Sequence, residues 1–224
     1  MLFWLKKMLS YACEIPLETR HSQFSNSLKV SLLDGRFLLS TEKAVYSYQD
    51  LYHNFRSAFE QLPLEILSPQ ARVLVLGMGM GSIPHLLEHT FQKKEYVYTL
   101  VELDPVVVEL AQKYTLPLLR SKYFLEVGDA YNFVINNSKS KLYELICVDI
   151  FIDENTPSLF ETAEFLSKTK QLLAPKGLLV YNRLCSNTSQ KETTNQFITS
   201  VFEPIFPNHQ IIEAKQNRML IGYK

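Results

Sequence analysis

From Arg72 onward the chain alternates short apolar runs with segments of helical periodicity, a pattern that only a layered fold can bury. The runs Val73–Leu76, Val97–Val101, Phe124–Val127, Leu145–Val148 and Leu178–Tyr181 are largely unbroken by polar residues, as parallel strands covered on both faces require. Helices are predicted between them at Ile83–His89, Pro105–Tyr114, Asp129–Asn136 and Glu161–Leu173. The second opens with Asp104 as N-cap and Pro105 at the first helical position, and Pro175 and Gly177 end the last. After a further helix near Gln190–Phe202, three residues separate His209–Ala214 from Arg218–Tyr223, so these two pair as an antiparallel hairpin. The expectation is an α/β fold whose mainly parallel sheet is closed by one antiparallel strand.

The first 65 residues follow another plan. Lys29–Leu33 and Arg36–Ser40 flank Asp34-Gly35, a pair suited to the positive φ angles of a tight hairpin turn. Tyr48, Leu51, Tyr52, Phe55, Ala58, Phe59 and Leu62 then recur at helical spacing until Pro63, predicting one helix with a core-facing stripe. The chain is therefore read as an extension, 1–65, and a larger domain, 66–224. The apolar start, Met1–Leu9, is interrupted by Lys6 and Lys7 and is read as a short amphipathic helix packed on the domain or on a partner subunit, not a leader or a membrane span. Lys plus Arg and Asp plus Glu both total 23, so no basic excess argues for a nucleic acid or an anionic membrane. The three cysteines, Cys13, Cys147 and Cys185, are odd in number, which argues against a disulfide framework and for a reducing cytoplasm. The five histidines show no metal-ligand spacing, and no metal is expected.

The candidate chemistry gathers at strand ends. Of seven glycines, Gly77, Gly79 and Gly81 fall within five residues directly after the first strand of the repeat. Glycines there permit a tight turn and let a ligand approach the backbone at a helix N-terminus. The next strand ends in Glu102, placed to accept hydrogen bonds from both hydroxyls of a ribose. Ser82 stands where a dinucleotide fingerprint needs glycine, so G-x-G-x-G favours S-adenosylmethionine over NAD. Asp129 either accepts from an adenine amine or caps its helix, and Asp149 ends the fourth strand where the reacting centre of such a sheet lies.

Val73–Gly81, Val101-Glu102-Leu103-Asp104-Pro105, Gly128-Asp129-Ala130 and Tyr143–Asp149 together resemble the spermidine synthase branch of the class I methyltransferase superfamily. Leu32-Leu33-Asp34-Gly35 and Tyr46-Ser47-Tyr48-Gln49-Asp50 resemble the hairpin and helix start that precede the nucleotide domain in aminopropyltransferases. The likeness runs from about Leu28 to Leu184. It implies a Rossmann-like class I methyltransferase fold, a mostly parallel seven-stranded sheet with an antiparallel C-terminal hairpin strand behind a small N-terminal β-hairpin. It also implies that Glu102 holds the ribose, Asp129 the adenine, that Asp149 is the base toward an attacking amine, and that Tyr48, Gln49 and Asp153 line the acceptor site. A homodimer through the N-terminal hairpin is implied as well.

The chain departs from that branch in three places. Met80 replaces an aspartate of the glycine-rich loop, the acids after the fourth strand (Asp149, Asp153, Glu154) are differently spaced, and a Tyr-Pro-Ser-Gly stretch of the diamine pocket has no counterpart. If residue 80 faces the donor's tail, a neutral side chain there accepts intact S-adenosylmethionine as well as its decarboxylated form. Three readings follow: methyl transfer to a small acceptor, an amine first; aminopropyl transfer; and a nucleoside-binding scaffold.

Overall fold

The computed structural model of the chain describes residues 2–42, 44–137, 142–151 and 156–224. Helix α1 (Leu2–Leu9) leads into a four-stranded antiparallel sheet in chain order, β1 (Ile15–Arg20), β2 (Leu28–Leu33), β3 (Arg36–Ser40) and β4 (Val45–Ser47). The expected hairpin is the centre of this sheet, and its turn has φ of 51° at Asp34 and 71° at Gly35. Strands β1 and β4 add to it unannounced, because one is half polar and the other only three residues long. The single helix expected from Tyr48 is broken. Gln49 takes φ 37°, a 3₁₀ turn covers Gln49–Leu51, and α2 (His53–Phe59) starts anew, burying Phe55, Ala58 and Phe59 as the stripe predicted.

The larger sheet comprises β5 (Arg72–Leu76), β6 (Val97–Glu102), β7 (Lys122–Val127), β8 (Tyr143–Val148), β9 (Leu173–Leu184), β10 (His209–Ala214) and β11 (Asn217–Tyr223), in the order β10-β11-β9-β8-β5-β6-β7. Strands β5 to β9 pair in parallel, and β11 runs antiparallel to both β9 and β10. The helices between strands are α3 (Ser82–His85), α4 (Pro105–Tyr114), α5 (Ala130–Asn136), α6 (Ala163–Leu172) and α7 (Thr188–Phe197). Asp104, Asp129, Thr162 and Asn187 cap the last four through their side chains, satisfying N–H groups that a helix start leaves unpaired. Among the described residues no helix is long and apolar enough to cross a membrane.

Alternate residues of the central strands feed two cores. Val73 and Val75 pack with Phe55, Phe59, Tyr98 and Leu100, and this core continues into Leu28, Val30, Leu32 and Leu39 of the N-terminal sheet. Leu74 and Leu76 face Phe165, Leu166, Phe202 and Phe206 on the other side. Strand β7 departs from the two-sided burial expected of it: as the edge of the sheet it leaves Phe124 and Val127 half exposed. Helix α1 is similarly open, with Phe3, Trp4, Leu5, Met8 and Leu9 exposed and only Phe3 stacked, on Phe37.

The chain runs outward from β5 through β6 to β7, then returns to place β8 on the other side of β5. At that reversal the connections diverge to opposite faces and leave a crevice at the carboxyl ends of the strands. The crevice is tight at one point. A Cβ on Gly77 would lie 2.3 Å from the carbonyl oxygen of Asp149, and Gly77 has φ 79°. Gly77→Ala should therefore lower the melting temperature by roughly 5–10 °C, from a strain of about 1–3 kcal/mol. Gly128→Ala, where an added Cβ meets nothing within 4 Å, should leave it within about 2 °C. Thermal denaturation of both variants checks the pair.

Candidate active site

A cavity of about 670 Å³ opens over the carboxyl ends of β5, β6 and β8 and is roofed by the N-terminal sheet and its loops. Its wall is built from strand ends (Gly77, Glu102, Asp149, Asn182), from the β4 segment (Val45, Tyr46), from Tyr52 before α2, and from Phe24 in the β1–β2 loop.

On one side Glu102 closes the glycine turn. Its Oε2 accepts from the Gly79 N–H at 2.9 Å and its Oε1 from the Asp104 N–H at 3.1 Å. Each oxygen has lone-pair capacity beyond that one bond. Burial outweighs these bonds and pushes its pKa up to about 7. Asp104 caps α4 and also accepts from the Ser22 hydroxyl, which pins the β1–β2 loop beside the cavity. Asp129 accepts from the Asn132 N–H at 2.8 Å, so it does cap α5, and it lies on the cavity wall as well.

On the other side Asp149 sits one residue beyond β8. The register pairs Val148 with Tyr181, which brings the next residue of β9, Asn182, alongside it. Asn182 Nδ2 donates to Asp149 Oδ1 at 2.9 Å, and Asn182 Oδ1 accepts from Asn217 Nδ2 at 2.8 Å. The Tyr52 hydroxyl faces the same carboxylate. Burial raises the Asp149 pKa to about 6, against the opposing bonds from Asn182 and Tyr52, and holds the Tyr52 pKa well above the usual phenol range. Among the described residues the wall carries four carboxylates, Glu102, Asp104, Asp129 and Asp149, and no lysine, arginine or histidine.

Gly77, Gly79, Glu102, Asp129 and Asp149 thus meet in one cavity as expected from the sequence. Four other candidates are off its wall. Met80 is 1% exposed and packs in the core, so it does not face a ligand's tail. Gly81 serves the backbone alone, in a left-handed conformation at the start of α3. Tyr48 turns its hydroxyl to the Asp34 carboxylate at 2.8 Å, and Gln49 accepts from the Phe37 N–H at 2.6 Å, so both brace the hairpin instead of an acceptor. Asp153 and Glu154 lie outside the described residues. Tyr46, Tyr52, Asn182 and Asn217 escaped the sequence reading. Asn182 left a trace, since a polar residue closing the apolar run Leu178–Tyr181 needs a buried partner.

Residues 52–212 match the family model described as the spermine/spermidine synthase domain. The polyamine aminopropyltransferase of Vibrio vulnificus is 31% identical over 152 residues, covering 67% of this chain and 50% of that protein. The eEF1A lysine and N-terminal methyltransferase of Danio rerio is 25% identical over 161 residues, covering 66% of this chain and 22% of that protein. The chain thus spans half or less of these two relatives. The spermidine synthase of Thermotoga maritima superposes with a TM-score of 0.69 at 12% identity, over 94% of this chain and 73% of that one, a likeness of fold.

The two perturbed carboxyls make stability depend on pH. Both pKa values are raised in the folded state, from 4.5 to about 7 for Glu102 and from 3.8 to about 6 for Asp149. The folded chain then holds more protons than the unfolded one in this window, so the stability they contribute is complete below about pH 4 and is lost as pH rises to about 7. The His85 imidazole, whose pKa burial lowers from 6.5 to about 4, acts in the opposite sense over much of this range, so denaturant unfolding of the ligand-free protein should show a shallower net fall, on the order of 1–3 kcal/mol. Glu102→Gln and Asp149→Asn should each remove part of the slope, and a parental slope in both variants would contradict the assignment.

Proposed function

Because the chain belongs to the spermine/spermidine synthase family, we propose that its cavity binds decarboxylated S-adenosylmethionine and transfers the aminopropyl group to a small amine. The wall with four carboxylates and no basic side chain among its described residues carries this reading. The decarboxylated donor has a sulfonium and an ammonium and no carboxylate, so it carries one net positive charge more than S-adenosylmethionine. An acidic wall in a poorly hydrated site favours the more cationic ligand and a cationic acceptor.

The residues fit such a donor. Glu102 can accept from the ribose hydroxyls with the lone pairs its two backbone bonds leave over, and Asp129, on the same wall, can accept from the adenine amine. The cavity of about 670 Å³ holds a nucleoside together with a small amine. When bound, the donor supplies a carbon made electrophilic by its sulfonium neighbour. Asp149 holds the amine in its neutral, attacking form by taking its proton. As the N–C bond forms and the C–S bond breaks, the electron pair of the broken bond passes to sulfur and the proton stays with the carboxyl group. A base titrating at about 6 suits this task near neutral pH.

Methyl transfer from intact S-adenosylmethionine is the second reading. One observation favours it: the side chains of the glycine turn, Met78 and Met80, are buried and apolar, so the turn opposes no carboxylate to the donor's own. The free cysteines support a reducing, cytoplasmic location, and the exposed apolar face of α1 supports a homodimer.

The test is to supply each donor with putrescine, cadaverine or methylamine and identify the nucleoside released. 5′-Methylthioadenosine is expected. S-adenosylhomocysteine would establish the second reading, and neither product would leave a nucleoside-binding scaffold. Glu102→Gln should weaken donor binding about 5- to 150-fold, the loss of hydrogen bonds to a charged group. Asp149→Asn should cut turnover about 100- to 10,000-fold with donor affinity held within a few-fold, as calorimetry can show.

A further inference from the structure

Asp149 is part-buried, and what supports its carboxylate is neutral. Its Oδ1 accepts from Asn182 Nδ2 at 2.9 Å, and the Tyr52 hydroxyl approaches from the segment before α2. Among the described residues the buried Cys147 thiol of β8 also senses it, its pKa pushed up by burial first and then by the Asp149 charge. Asn182 itself is 1% exposed, and the oxygen end of the amide that donates to Asp149 meets a second amide. Asn217, at the start of β11, donates to Asn182 Oδ1 at 2.8 Å and is 7% exposed. An amide can be turned over, and with Oδ1 toward Asp149 it would set two acceptors against each other. Asn217 opposes that flip, because its own Nδ2 would then face the Asn182 Nδ2.

We propose that Asn217 and Asn182 are positioning residues that hold one amide orientation and so keep a hydrogen-bond donor on the base of the transfer reaction. This rests on the role of Asp149 given above and extends it to the antiparallel end of the sheet. The arrangement is selective. A cation in place of Asn182 would hold Asp149 ionised and make it a poor base, and it would repel a cationic amine from the same cavity. A pair of amides orients the carboxylate without adding charge. The β9–β11 pairing thereby gives the one antiparallel strand of the sheet a task in the chemistry, since Asn217 lies diagonally across from Asn182 in that ladder.

The test measures the base directly in the full-length chain. Asp149 is titrated by ¹³C NMR of labelled aspartate carboxyls, its signal identified by its absence in Asp149→Asn, and no ligand is added. Asn217→Ala removes the donor that opposes the flip, and Asn217→Leu keeps the bulk without a hydrogen-bonding group or a charge. Loss of a donor to the ionised form raises the carboxyl midpoint. An upward shift of at least half a pH unit is expected in both variants. The acid limb of the pH–rate profile, with putrescine and the decarboxylated donor, should move by the same amount while rates converge with the parent at high pH. Thermal melting shows whether each variant is folded, and either folded variant suffices. A titration unchanged from the parent in a folded variant overturns the positioning role, and a collapsed Asp149→Asn then still upholds the base. Parental turnover by Asp149→Asn, or no turnover by the parent on either donor, overturns the function on which the proposal rests, and the proposal with it.

Discussion

The structure depends on how closely the ends of β5 and β8 approach. The Asp149 N–H donates to the Leu76 carbonyl at 2.9 Å, and the Asp149 carbonyl lies where the first side-chain atom of any residue but glycine would stand at position 77. The missing side chain thus lets the fourth strand of the repeat reach past the first and set a carboxylate beside the glycine turn. On the other side the Gly77 and Met78 N–H groups both donate to the Val101 carbonyl at 3.0 Å, which draws the end of β6 to the same turn. Three strand ends converge on one short piece of backbone, and each brings an acidic residue or the turn that faces it.

That convergence concentrates negative charge, and the surroundings determine what becomes of it. Glu102 is held by backbone N–H groups and Asp149 by one amide and a phenol, and among the described residues no cation is bonded to either. Burial then dominates and leaves both poised to titrate near neutrality, whereas a paired carboxylate would be locked in its ionised form. Asp50 illustrates the contrast in the same molecule: Arg36 bonds both its oxygens and outweighs burial, so its pKa falls below the usual carboxylate range. Asp50, satisfied by a cation, braces the N-terminal sheet, and Glu102 and Asp149, bonded to no cation among the described residues, line the cavity.

The features legible in the sequence were those that rest on backbone constraint and on pattern. Gly77 and Gly79, Asp104-Pro105 and the acid-terminated strands each need a residue type for a local reason, and local reasons survive into the fold. The residues that escaped depend on contacts distant in the chain. Tyr52 reads as one more apolar member of a helical stripe until Gln49 breaks that helix, and the break follows from a hydrogen bond to Phe37 on another strand. Asn182 and Asn217 are 35 residues apart, and only the β9–β11 register brings them together. Met80 was misplaced for the complementary reason: proximity to the glycines suggested that it faced a ligand, but the positive φ of Gly79 and Gly81 on either side accompanies a side chain turned into the core.

The N-terminal sheet therefore belongs to the site as much as to the scaffold. Strand β4 runs over the glycine turn so closely that a Cβ on Gly79 would be 3.2 Å from the Tyr46 carbonyl. Ser82, the first residue of α3, locks this position. Its hydroxyl is 2.6 Å from that of Ser47 and accepts from the Tyr48 N–H at 2.8 Å. The Tyr48 hydroxyl in turn holds the Asp34 end of the hairpin, so a residue off the cavity wall still fixes the strand that carries Tyr46 onto it. A crevice of this kind left open to water would screen Glu102 and Asp149 and leave their pKa values near the usual carboxylate range. Tyr46 and Tyr52 cover part of that crevice, and the burial there raises the pKa values of Glu102 and Asp149.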